Sequence, residues 1–271
     1  MRHAALVAAF ACAGAACAGA DAMTLPAGSG ARPATPAGEI GLNPGETMAF
    51  EVRLAGILAG EAQLAVGQLG DYEGHRAVVV KSRAETAGAA ALLKHIVDEA
   101  TTVVDMDTGR PLSVETYVEQ GDAKTTATAK FTGNIAEITY NRSGDKAPRV
   151  IKVDFGKIRV HDAHSAMAQV RGWRATPGAT RSVLVVGGRR LWRVDVTYVG
   201  EDTIGSAIGN RRAVHFTGAS YRTRGDLTPE TDKPSRTFSV WLSDDADRVP
   251  LKVTARTELG DIVMDLTEYN R

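Results

Sequence analysis

The chain has 271 residues, 44% hydrophobic and 24% charged, a globular balance that excludes a disordered polar chain. Its 32 basic residues are matched by 32 acidic ones, so no net field draws it to nucleic acid or an anionic membrane surface. The length fits one large β domain or two small domains, and one is the expectation.

Residues 1–20 read as a signal segment. Met1-Arg2-His3 is a short basic start, and Ala4 to Ala16 is uncharged, with Leu6, Val7 and Phe10 among small residues. Ala18-Gly19-Ala20 then supplies a small-x-small cleavage pattern before Asp21. The run is too short and too rich in Ala and Gly to span a bilayer, which takes roughly 20 apolar residues. No later run is long enough, so no transmembrane span is expected. Loss of Arg2 with this segment leaves 31 basic against 32 acidic residues, a near-neutral mature chain.

Both cysteines, Cys12 and Cys17, lie in the segment, so the exported domain has no disulfide and depends on its core. Gly14-Ala15-Ala16 before Cys17 resembles a loose lipoprotein box, with Gly14 where leucine is usual. Lipidation at Cys17, which would tether the domain, and plain cleavage after Ala20 both stay open at this point. The location expected is the periplasm or an outer-membrane-attached position.

Residues 21–40 are rich in Pro, Gly, Ala and Thr without a hydrophobic period, and read as a flexible linker. Residues 41–271 read as a single β-rich domain. From Met48 the period is two: Phe50, Val52 and Leu54 alternate with Glu51 and Arg53, and Ala62, Leu64 and Val66 continue after Gly56 and Gly60. The alternation recurs at 77–82, 100–105, 113–119, 125–131, 136–141 and 150–155, and again at 182–186, 191–199, 212–217, 237–242, 251–257 and 262–267. Gly187-Gly188 and Ser143-Gly144-Asp145 are hairpin signals between such runs. Two segments differ: Ala87–Val97 is Ala- and Leu-rich, and Asp162–Gly172 has an N-capping Asp162 and a terminal glycine, so both are expected to be helical. The fold class expected is all-β, a large, strongly curved antiparallel sheet forming a half-open barrel or β-clam with one or two short helices.

Specific residues then resemble a family. They are Gly45-Glu46 with Phe50-x-Val52, Gly56-x-x-x-Gly60-Glu61-Ala62, and Asp162-Ala163-x-Ser165-Ala166 with Arg171. Val240-Trp241-Leu242-Ser243-Asp244-Asp245, Arg248-Val249-Pro250-Leu251-Lys252-Val253 and Gly260-Asp261-Ile262 complete the set. Together they are similar to the bacterial domain-of-unknown-function family numbered 3108, found in exported proteins and lipoproteins. The function of that family is not established, so the resemblance carries no catalytic residues over to this chain. The curved sheet also resembles the lipoprotein-carrier (Lol) proteins, whose concave sheet shields acyl chains, although a fold does not fix a function.

Motifs that point to chemistry have plainer readings. His161-Asp162-x-His164-Ser165 contains ligand types for a metal, but its spacing is not that of a closed site and Asp162 serves as a helix cap. Ser243-Asp244-Asp245-Ala246-Asp247 has the carboxylates of a calcium loop without the remaining EF-hand spacing, and suits a hairpin turn. No Gly-x-Ser-x-Gly turn is present, and no catalytic residue, cofactor or metal is assigned. Gly187-Gly188-Arg189-Arg190 and Asn210-Arg211-Arg212 lack the aromatic run of a nucleic-acid platform.

What remains is an apolar inner face: Phe50, Val52, Leu54, Leu64, Val66, Trp192, Val194, Val196, Tyr198, Phe238, Val240 and Leu242. Of the chain's apolar residues, Phe50, Val52, Leu54, Trp192, Val194, Tyr198 and Trp241 are the candidate ligand-facing ones. The expected function is a non-enzymatic envelope protein that binds a lipid, an acyl chain or another hydrophobic or amphiphilic ligand. The alternatives are an assembly factor for surface polysaccharide or outer-membrane machinery, and a hydrolase with carboxylates in the cleft.

Overall fold

The computed structural model describes residues 40–230, 232, 235–257 and 260–271. The signal segment, residues 21–39 of the linker and both cysteines lie outside the described residues. Sixteen strands follow in one sheet. They are β1 (Thr47–Leu54), β2 (Ile57–Val66), β3 (Gly70–Tyr72), β4 (His75–Thr86), β5 (Ile96–Asp105), β6 (Pro111–Gln120), β7 (Ala123–Thr132) and β8 (Ile135–Arg142), then β9 (Arg149–Asp154), β10 (Val160–His161), β11 (Thr180–Gly187), β12 (Arg190–Ser206), β13 (Gly209–Thr223), β14 (Arg236–Ser243), β15 (Pro250–Thr257) and β16 (Gly260–Asn270). Helix α1 is Gly88–Leu93 and α2 is Ala163–Gly172.

The order across the sheet is β10 to β16, then β1, β2 and β4 to β9, with β3 paired on β4. The strands at the two ends of the chain, β1 and β16, therefore pair in mid-sheet. All pairings are antiparallel except that of β10 with β11. Tight turns drive the meander. At Ala55-Gly56 both residues have positive φ, 50° and 82°, the geometry of a two-residue hairpin turn that glycine tolerates without strain. The sheet is a half-open barrel, not closed by hydrogen bonds.

Its two edges overlap instead. Val183, Val185, Trp192 and Val194 face the barrel interior. Leu184, Val186 and Leu191 have the opposite parity, yet they are buried against Val114, Ala129 and Ile138 of β6 to β8. Because neighbours along a strand point to opposite faces, the β10–β12 edge must be tucked inside the β6–β9 arm. The β11–β12 turn confirms this placement: a Cβ on Gly188 would lie 3.4 Å from Thr116 Oγ1 of β6.

Helix α1 is shorter than the sequence suggests. Lys94 is already extended, and Ile96 and Val97 pair with Gln120 and Glu119 of β6. These β-branched residues bury themselves more effectively in a strand than on an exposed helix. Helix α2 starts where expected. Asp162 accepts hydrogen bonds from the backbone N–H of Ser165 and His164, and the Ser165 hydroxyl closes a reciprocal capping box.

Candidate functional site

The inner face divides into a packed part and a cavity. Phe50 and Val52 of β1 are packed with Tyr198, Phe216, Leu242, Met264 and Leu266, all buried. Leu54 is half-buried against the same cluster. Further along, β11 to β15 and α2 enclose a cavity of about 530 Å³, within the volume range of small-molecule sites. Its wall includes Met167, Val170, Trp173, Trp192, Val194 and Phe238. The Phe216 ring joins the two parts, with centroids 5.7 Å from Trp173 and 5.1 Å from Tyr198. Glycine makes room for one wall residue: a Cβ at Gly218 would come within 2.3 Å of the Phe238 ring, so only Gly lets that ring lie across β13.

Of the candidate ligand-facing residues, the fold brings Trp192 and Val194 together in the cavity, while Phe50, Val52 and Tyr198 lie in the packed core. Trp241 is a correction. Val240 and Leu242 point inward, so Trp241 points outward, where it stacks on His215 at 4.4 Å and donates from Nε1 to Asp202 at 3.0 Å. Four arginines, Arg159, Arg181, Arg236 and Arg256, also border the cavity, and among the described residues lining it none is acidic. Among the described residues of the lining there is thus no carboxylate pair of the kind a glycosidase-type cleft uses. A more open groove of about 590 Å³ lies over β12 to β16, lined by Thr, Ser, Ala and Val side chains together with Asp195, Phe238, Arg256 and Asp261.

His161 also borders the cavity, and burial pushes it down to about 4, only partly offset by the Asp162 carboxylate. His164 is likewise held low by burial. Thr102 Oγ1 lies 2.6 Å from Asp162 Oδ2 and 2.7 Å from His164 Nδ1, and Ser165 Oγ donates to Asp162 Oδ1 at 2.6 Å. With the two backbone donors of the cap, every strong acceptor direction of Asp162 is used inside the protein. The group therefore acts as a buried tie between α2 and β5.

A second buried tie was not foreseen. Arg171 at the end of α2 forms a bidentate pair with Glu46, Nη1 to Oε1 at 2.6 Å and Nη2 to Oε2 at 2.8 Å, with both side chains at most 2% exposed. Arg171 also donates to the Arg248 and Asp247 carbonyls in the β14–β15 turn. In that turn Asp245 Oδ1 accepts from Ser243 Oγ and from the backbone of Asp247 and Arg248. Asp244 meets Arg212, and Asp247 accepts from Asn43 and Tyr269. The three carboxylates face different partners, which is turn chemistry rather than a shared ion cage. Glu46, Asp162, Ser165 and Arg171, which carry much of the sequence resemblance, thus form the two ties that hold α2 against the sheet, and Asp245 shapes the turn that Arg171 meets.

Among the described residues no helix is long and apolar enough to cross a membrane. No curated protein matches the chain. A β-barrel-like protein of the DUF1849 domain family from Brucella abortus is similar in structure, with a TM-score of 0.55 at 10% identity over 84% of this chain and 97% of that one. An exported protein with a YmcC-like fold from Bacteroides fragilis aligns over 84% of this chain and 97% of that one, at 9% identity and a TM-score of 0.38. The hypothetical lipoprotein YmcC of Escherichia coli aligns over 83% and 85% respectively, at 11% identity and a TM-score of 0.30. The first likeness shows a shared fold and nothing finer. The model of the family of proteins of unknown function DUF3108 matches residues 49–267, most of the chain, and the chain belongs to that family.

Proposed function

We propose that this is a non-enzymatic protein of the cell envelope that holds a hydrophobic or amphiphilic ligand inside its curled sheet. The observation that carries the reading is the cavity of about 530 Å³, walled by Trp173, Trp192, Val194 and Phe238 beside the packed cluster of Phe50, Val52 and Tyr198. A sheet that leaves aromatic and aliphatic wall uncovered forgoes about 25 cal/mol for each Å² of burial, and a ligand's apolar surface supplies it. The signal-like residues 1–20 support export to the periplasm, and the box before Cys17 supports a lipid anchor at the outer membrane.

The test is native mass spectrometry, with solvent extraction, of protein purified without detergent from a bacterial envelope fraction. A stoichiometric lipid or other apolar adduct is the expected result. Protein that carries no adduct, and binds no acyl-chain probe when one is offered, would overturn the reading.

A second reading has one observation in its favour. Leu92 and Leu93 of α1 are 89% and 90% exposed, and Ile57 in the neighbouring hairpin is 67% exposed. Helix α1 follows β4 beside β2, with the Ala87 N–H donating to the Ala59 carbonyl, which places the three at one end of the barrel. This is an apolar tip suited to an envelope partner.

A further inference from the structure

The four arginines bordering the cavity have no acidic counterpart in its lining among the described residues. Arg256 is paired with Asp261 at 3.7 Å and is largely exposed. The side chains of Arg159 and Arg181 form neither a hydrogen bond nor an ion pair with any described residue. They flank the parallel β10–β11 pair: Arg159 precedes Val160 by one residue, and Arg181 lies in β11 on the cavity face, opposite Val196. Both tryptophans of the wall carry a guanidinium on their ring. Arg181 lies 4.6 Å from the Trp173 centroid and Arg236 lies 5.3 Å from that of Trp192.

Stacked in this way, the Arg181 guanidinium keeps its N–H edge available, and that edge matches a carboxylate or a phosphate in two parallel hydrogen bonds. The basic character continues past Trp192. Arg222 sits directly opposite it on β13, and Arg190 lies two residues before it on the same face. Burial, followed by the charges of Arg189 and Arg222, pulls Arg190 down to about 10, although Glu230 is close enough to pair with Arg222 at 3.0 Å. Crowded cations beside a low-dielectric wall raise the local potential, and an anion lowers it.

Resting on the cavity reading above, we infer that the ligand is an anionic amphiphile. Its acyl chain lies on Trp192, Val194 and Phe238, and its carboxylate or phosphate is met by Arg159 and Arg181. A neutral amphiphile covers the same wall without engaging the guanidinium groups, and a cationic one is repelled.

The experiment titrates the purified protein with dodecanoate, dodecyl phosphate, dodecanol and dodecyltrimethylammonium, each below its micellar concentration, at pH 8. Quenching of the wall tryptophans is the readout, with calorimetry as a check. Both anions are expected to bind at least about tenfold more tightly than dodecanol, and the cation most weakly, because one well-formed charge-assisted pair is worth at least that ratio. Preference for dodecyl phosphate points to a phospholipid-type head, and preference for dodecanoate to a free fatty acid. The double variant Arg159→Gln/Arg181→Gln should lose about tenfold for the anions while dodecanol changes less than about twofold; Arg53→Gln, on β1 and paired with Glu51 away from the cavity, should change neither. Raising NaCl on the wild-type protein should weaken only the anions, an arm that does not depend on any variant folding. Equal affinity for dodecanoate and dodecanol would overturn the inference and leave the cavity reading intact. Binding of none of the four would overturn both.

Discussion

Strand β12 runs through both halves of the inner face, and they behave differently. At Tyr198 the strand meets Phe216 and the cluster that includes Phe50, Val52 and Met264. Four and six residues earlier, Val194 and Trp192 have the same alternation and the same apolar chemistry, yet they face the cavity. What differs is the opposite wall. The packed half faces β1, β2 and β16, which are joined by hydrogen bonds in mid-sheet. The cavity half faces α2, a single helix joined to the sheet by a polar tie near each end. A period of two selects the face of a strand, but it does not state how far away the facing wall stands.

The largest expected effect tests the tie under the packed half. Arg171→Met leaves Glu46 buried and unpaired, and should lower unfolding stability by about 3–5 kcal/mol in a urea titration. The double variant Glu46→Leu/Arg171→Met should recover most of that loss, because an apolar pair of similar volume carries no uncompensated charge. If the single and double variants are equally unstable, the pair is not what holds α2 in place. Loss of the tie should also loosen the cavity wall at Met167, Val170 and Trp173, making ligand binding weaker in any variant that stays folded.

The next effect is a pH dependence located at the cavity. His161 titrates near 4 in the folded protein and near its ordinary 6.5 when unfolded. Between those values the unfolded chain binds the extra proton, so stability rises with pH across that window and is lost as pH falls through it. The contribution is about 3 kcal/mol at most, from 1.36 kcal/mol for each tenfold change. Burial acts on His164 in the same direction. His161→Asn should therefore reduce the slope of stability against pH from about 6.5 to 4 without abolishing it. Asp98 works oppositely: burial, with the charge of Glu99 behind it, raises its carboxyl to about 7, so its term lowers stability as pH rises from about 4 to 7. A His161→Asn profile that superimposes on the wild type would show that the imidazole is not buried as described.

Most of the sheet was legible in the sequence, because long strands bounded by Gly and Asx turns show their period directly. Short strands were not: β3 and β10 span Gly70–Tyr72 and Val160–His161, too few residues for an alternation to register. The end of α1 was misplaced because Ile96-Val97 is an apolar pair that suits a helix or a strand, and only pairing with β6 decides. Trp241 stood among the candidate ligand-facing residues, although the phase set by Val240 and Leu242 already placed it outside. The Glu46–Arg171 pair joins residues 125 apart, and no local pattern signals such a partner. The cavity arginines were equally hidden, since Arg159, Arg181 and Arg236 converge only after the edge is tucked in.

The smallest effect on stability is the sharpest test of the two halves. Val52→Phe and Val194→Phe make the same change at inward positions of β1 and β12. At Val52, 3% exposed within the packed cluster, the larger ring has no space and should cost about 1–3 kcal/mol. At Val194 the ring grows into the cavity and covers Trp192 and Phe238. Its stability should stay within about 1 kcal/mol of the wild type, or rise, since apolar area is removed from water. Binding should respond in the opposite order. Val194→Phe should lose affinity for an acyl-chain probe by about tenfold or more, because its ring takes volume the chain needs, whereas any folded Val52→Phe protein should keep its affinity. Equal destabilisation at both positions would mean that the cavity wall is as tightly packed as the rest of the barrel, and the distinction between the halves would fall.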